Sequence, residues 1–181
     1  MALDNLKHLI PDYAKDQRRN LDALIKSSVL TQQQLWGCLL VSAATSRNDV
    51  VLKQVHAEAR EHLSENAVDV ALACTTAMTL NNYGFRTKHW LGHDFESLRF
   101  GLRNGVFLKP GVTQADYELW AVAVSIVNGC EQCTQAHSRD VQEQGLSTLQ
   151  VWEAVKIASV IQAIAQTIHI ETALKTENLP E

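Results

Sequence analysis

Three prolines stand in 181 residues, at Pro11, Pro110 and Pro180, leaving stretches of 98 and 69 residues without one. Glycine is scarce as well, at eight. A sheet-rich chain punctuates its turns with both residues far more often, so this spacing predicts an all-α protein. Hydrophobic residues make up 46%, enough at this length to bury a core in a single domain and to exclude disorder for most of the chain.

Helix starts can be read from their caps. Thr31 with Gln34 forms a capping box before the apolar run from Leu35 to Ala44, and Ser147 with Gln150 forms a second before Val151 to Ile170. Ser64 precedes the run from Ala67 to Leu80, and Thr113 precedes the run from Tyr117 to Val127. Pro11 suits the first turn of a helix through Leu24, and Asn48 suits the cap of one through Leu63. Gly145 and the Asn128–Gly129 pair read as helix stops. The stretch 83–110, with four glycines and scattered aromatics, reads as a connector with one or two short helices.

Fixed-offset comparison suggests a duplication. Gln34-Leu-Trp lies 84 residues before Glu118-Leu-Trp, and Leu63-Ser lies 83 before Leu146-Ser. The expected organisation is one domain over 1–181, with a first helical unit at about 1–82, the connector at 83–110 and a second unit at 111–181. At the 84-residue offset Cys130 and Cys133 fall opposite Ser46 and Asp49, which leaves the chemistry to the second unit.

Charge narrows the function classes. The formal net charge is −4, the isoelectric point is near 6.0, and no Lys/Arg run exceeds two residues, so a nucleic-acid partner is not expected. The N-terminal residues carry no basic region followed by an apolar one, and no uninterrupted apolar run approaches ~18 residues. These features predict a cytoplasmic protein with no membrane partner. There the four cysteines are reduced thiols, and any disulfide is transient and chemical.

The chemistry is concentrated in Asn128-Gly-Cys-Glu-Gln-Cys-Thr-Gln-Ala-His137. At about 100° per residue, Cys133 lies about 60° to one side of Cys130 and His137 about 20° to the same side, so all three share a helical face. Gln132 points about 200° round, off that face. Cysteines at i,i+3 can fall within the Cα separation a disulfide needs. The unpaired N–H groups of a helix start stabilise a thiolate at Cys130, whereas the imidazole one turn on favours Cys133. Glu118 is the second candidate. If Asn128–Gly129 closes a helical hairpin, Glu118 and His137 stand within about one turn of each other in height, and a carboxylate there would orient the imidazole.

The same Cys-x-x-Cys-x3-His spacing could hold zinc, but zinc needs a fourth ligand and no second cysteine pair exists. Cys38 and Cys74 stand alone in apolar helical runs and read as core. His8, His56, His62 and His169 show no ligand spacing, and the His89/His93 pair reads as surface. The four tryptophans read as core packing. Residues 53–65, rich in both charges, read as a solvated helix face.

With Glu118-Leu-Trp, Asn128-Gly-Cys-x-x-Cys-x-x-x-His and Leu35-Trp-Gly taken together, the chain resembles the AhpD family. This is the alkyl hydroperoxidase branch of the carboxymuconolactone decarboxylase-like superfamily. The likeness runs over nearly the full length, through Pro11-Asp-Tyr-Ala-Lys-Asp, Ser27-Ser-Val-Leu, Asn81-Asn and Gly101-Leu-Arg.

The resemblance implies duplicated helical units, a homotrimer, and peroxidase activity without haem, flavin or metal. It implies that Cys133 attacks the peroxide, that Cys130 is the proton donor and resolving thiol, and that Glu118 and His137 form a proton relay. It further implies re-reduction by the dihydrolipoyl group of a dihydrolipoamide acyltransferase, and electron delivery to an AhpC-type peroxiredoxin. Some members carry His between the cysteines where this chain has Gln132. The competing readings are a dithiol adaptor that serves a peroxiredoxin, a non-redox decarboxylase of the superfamily, and a zinc-stabilised helical module. The paired cysteines argue against the decarboxylase, whose chemistry needs no vicinal dithiol.

Overall fold

The computed structural model describes residues 2–176, which leaves Pro180 outside the described residues. Eight α-helices follow in order: α1 (Ala2–His8), α2 (Lys15–Lys26), α3 (Gln32–Thr45), α4 (Asp49–Ala59), α5 (Glu65–Leu91), α6 (Gln114–Val127), α7 (Glu131–Glu143) and α8 (Thr148–Thr176). Short 3-10 turns precede α2 and follow α5, and no strand occurs among the described residues. The all-α expectation is met.

The caps act as read. Thr31 and Gln34 form a complete capping box on α3, Ser64 caps α5, and Asn48 accepts the Val50 and Val51 N–H groups at the start of α4. Ser147 and Gln150 exchange hydrogen bonds at the start of α8. Pro11 opens the 3-10 turn that leads into α2.

At the centre lie α3 and α6, each buried on nearly every side. Leu35, Leu39, Leu40 and Val41 on α3 and Leu119, Trp120, Val122 and Val124 on α6 are fully enclosed. A helix apolar all round belongs in a core, and α4, α5 and α8 pack about these two. The helices cross where Trp120 lies against Gly37; a Cβ on Gly37 would come within 2.1 Å of the indole. α8 presents Ala154, Ile157, Ala158, Ile161, Ile164 and Ile168 to the same core. By length and composition Thr148–Lys175 is also apolar enough to cross a membrane, a property that a test for uninterrupted apolar runs does not register.

Three sequence expectations need correction. The helix capped by Asn48 ends at Ala59 rather than Leu63, closing in turns in which Glu61 and His62 donate to Glu58 and Ala59. α5 runs to Leu91, nine residues into the expected connector. Gly84 is one of the four glycines of that stretch, and its missing side chain makes room for Phe100, whose ring a Cβ would meet at 1.9 Å. The remainder of the connector folds back along α5. Asn104 bonds the Ala77 carbonyl and Asn81, and Lys88 bonds the Leu98 carbonyl. Trp36 and Trp120 are core residues, whereas Trp90 and Trp152 are exposed at 70% and 59%.

Helices α3, α4 and α5 have 14, 11 and 27 residues, and α6, α7 and α8 have 14, 13 and 29. The caps Thr31, Asn48 and Ser64 stand where Thr113, Cys130 and Ser147 stand in the second series. Cap for cap, Cys130 is therefore opposite Asn48, not Ser46 as the 84-residue offset implied.

Candidate active site

The turn between α6 and α7 fixes the cysteines. Gly129 adopts φ 67°, the left-handed conformation that glycine takes without a Cβ penalty. Its N–H bonds the Ile126 carbonyl and the Cys130 N–H bonds the Ser125 carbonyl, the paired closure of a Schellman motif. The chain then turns extended at Cys130, which becomes the N-cap of α7. Cys130 thus stands just outside the helix rather than on its first turn. Its sulfur accepts from the Cys133 N–H at 3.4 Å, one of the donors a helix start leaves unpaired.

Cys130 and Cys133 are joined by a disulfide with a Cα separation of 5.3 Å. Both are almost fully enclosed, at 1% and 6% exposure. His137 follows one turn beyond Cys133, and its Nδ1 lies 2.5 Å from Oε2 of Glu118 on α6. Glu118 is buried, and the Gln114 side-chain amide donates to its other oxygen, Oε1. The hairpin therefore brings together all four residues singled out from sequence. Gln114 was not anticipated, although its i,i+4 spacing to Glu118 was there to read.

Cys74 on α5, fully buried, is the thiol nearest in influence to Tyr117 and Glu118 of α6. Burial pushes the thiols of Cys74 and Cys38 far up, so neither is a nucleophile at neutral pH. Both belong to the core as expected. His89 and His93 are exposed, but His89 is not idle surface: its Nδ1 lies 3.1 Å from Nε2 of Gln132.

Asp140, one turn past His137, adds a second carboxylate, and ligand atoms of Glu118, His137 and Asp140 lie within 4.8 Å of one another. That trio, rather than the cysteine pair, is where a divalent cation would find ligands. While the disulfide stands, neither sulfur is the free thiolate that zinc requires.

Fold and site define an all-helical thiol–disulfide protein. The sequence profile of the carboxymuconolactone decarboxylase family matches residues 93–176. Among curated relatives, "Alkyl hydroperoxide reductase AhpD" of Corynebacterium aurimucosum is 48% identical, covering 98% of this chain and all of the relative. Proteins of the same name from Corynebacterium kroppenstedtii and Streptomyces griseus are 47% and 45% identical, each covering 96% of this chain and 99% of the relative. The chain belongs to the AhpD family.

Proposed function

We propose that this chain is a thiol peroxidase that reduces alkyl hydroperoxides and hydrogen peroxide with the Cys130/Cys133 pair, without a metal or organic cofactor of its own. The observation that carries this reading is the disulfide set one turn from a His137 imidazole held by the buried Glu118 carboxylate.

In the reduced protein the Cys133 thiolate attacks the peroxide. The O–O bond breaks, alkoxide or hydroxide leaves and takes a proton through the His137–Glu118 relay, and Cys133 becomes a sulfenic acid. Cys130 condenses with it, releasing water and forming the disulfide. The N–H donors at the start of α7 support the anionic sulfurs.

An external dithiol then restores the pair. A pocket of about 340 Å³ lined by Ser125, Ile126, Gly129, Cys130, Thr134 and Gln135 opens beside the resolving cysteine. A dihydrolipoyl thiolate entering there forms a mixed disulfide with Cys130 and frees the Cys133 thiolate; the second lipoyl sulfur closes its ring and releases Cys130. The dihydrolipoyl group of a dihydrolipoamide acyltransferase is the proposed donor, and an AhpC-type peroxiredoxin the proposed onward acceptor. A homotrimer in the cytoplasm is the proposed setting. Exposure of Trp90, Leu91, Leu98, Leu102 and Phe107 along one segment supports assembly, since contiguous apolar surface of this kind marks interfaces.

The test is hydroperoxide consumption with reduced lipoamide as the only electron donor. One lipoamide should be oxidised per peroxide reduced, over many turnovers. Lipoamide oxidation that proceeds only when a peroxiredoxin is present would replace this reading with the adaptor.

A further inference from the structure

Asn82, Arg86 and His89 stand at i, i+4 and i+7 on α5, one stripe of that helix, and each reaches the segment that carries the cysteines. Asn82, fully buried, donates to Ser125 Oγ at 3.0 Å and accepts from the Asn128 side chain at 3.1 Å. The Arg86 guanidinium donates to the Asn128 carbonyl. His89 meets Gln132, between the two cysteines. A helix whose stripe bonds both the entry and the first turn of α7 braces the redox turn from outside the α6–α7 hairpin.

Arg86 does more than brace. Its guanidinium lies 4.7 Å from the Tyr83 ring centroid and 5.1 Å from that of Trp90, two cation–π contacts that help hold it in place. Its Nε is buried without a hydrogen-bond partner, and its bond to the Asn128 carbonyl is to a neutral acceptor that leaves the charge in place. Its Nη1 would be 3.7 Å from a Cβ on Gly129, the residue before Cys130. The other ionisable groups on or against this part of α7 are Glu131, His137, Arg139 and Asp140 on α7, Glu118 from α6, and Tyr83 and His89 from α5. Arg86 is the permanently charged cation that bonds the turn directly.

We propose that Arg86 is a positioning residue for the dithiol, which fixes the Asn128–Cys130 turn and holds a fixed positive charge beside it, so that the thiol pair ionises at lower pH than it otherwise would. The proposal deepens the peroxidase reading and rests on it for the effect on turnover. Thiol ionisation can be followed whether or not peroxide is the substrate.

The experiment is a pH titration of thiolate absorbance near 240 nm on the reduced full-length protein and on Arg86→Met, Arg86→Gln and Arg86→Lys. Removing a nearby cation should raise the first thiol ionisation by about one pH unit in the two neutral variants, while Arg86→Lys titrates like wild type. Peroxide turnover at pH 7 should fall about tenfold in the neutral variants and recover as pH rises. Should Arg86→Met lose its cooperative thermal transition, Arg86→Gln keeps a donor for the Asn128 carbonyl and carries the test. Neutral variants that titrate like wild type would overturn the proposal. So would an Arg86→Lys shift as large as that of Arg86→Met, because the effect would then not be charge.

Discussion

Cys133→Ser should abolish peroxide turnover outright, and Cys130→Ser should stop it after a single event. The two variants separate sulfurs that the fold places only 5.3 Å apart at their Cα atoms. Without Cys133 the attacking thiolate is gone: Cys130 is left in the resolving position, and burial keeps Cys38 and Cys74 protonated. Without Cys130 the sulfenic acid at Cys133 has no resolving partner and should persist long enough for dimedone to label it. Dimedone labelling at Cys130 in the Cys133→Ser protein would reverse the two roles.

Glu118→Gln should leave the fold intact and cost turnover heavily. The substitution keeps size and hydrogen-bonding capacity in a buried position but removes the charge opposite His137 Nδ1. An imidazolium is then less well supported, less thiolate forms at neutral pH, and the pH–rate profile moves upward. General acid–base partners contribute on the order of 10²–10⁴-fold, which bounds the expected loss. His137→Gln should cost at least as much. Since the two side chains are bonded to each other, the double variant should be about as impaired as the worse single one. Fully additive losses would mean that Glu118 and His137 act separately.

The site was more legible in the sequence than the elements around it. Cys130, Cys133 and His137 lie within eight consecutive residues, and Asn128–Gly129 marks the turn that folds Glu118 back onto them. Local signals of this kind survive without tertiary knowledge. Two things did not. The conformation of Cys130 follows from the Schellman closure at Gly129, which makes it a cap rather than a helical residue. The extension of α5 past Gly84 goes with Phe100 packing into the space there, a contact between residues 16 apart that no local propensity encodes. A helix that stops before the connector gives Asn82, Arg86 and His89 no common helical period, so the stripe is visible only in the folded chain. The exposure of Trp90 and Trp152 is not legible for a related reason: neither a place in the connector nor one in a helical run says which face meets the core.

Peptide mass spectrometry on the fully reduced protein after one equivalent of hydroperoxide, with alkylation and no added reductant, tests the redox cycle at its centre. The peptide carrying Cys130 and Cys133 should be unalkylated and two hydrogens lighter than its dithiol form, while Cys38 and Cys74 are recovered as thiols once the chain is unfolded. Peroxide consumed with Cys130 and Cys133 both recovered as alkylated free thiols would contradict the dithiol mechanism.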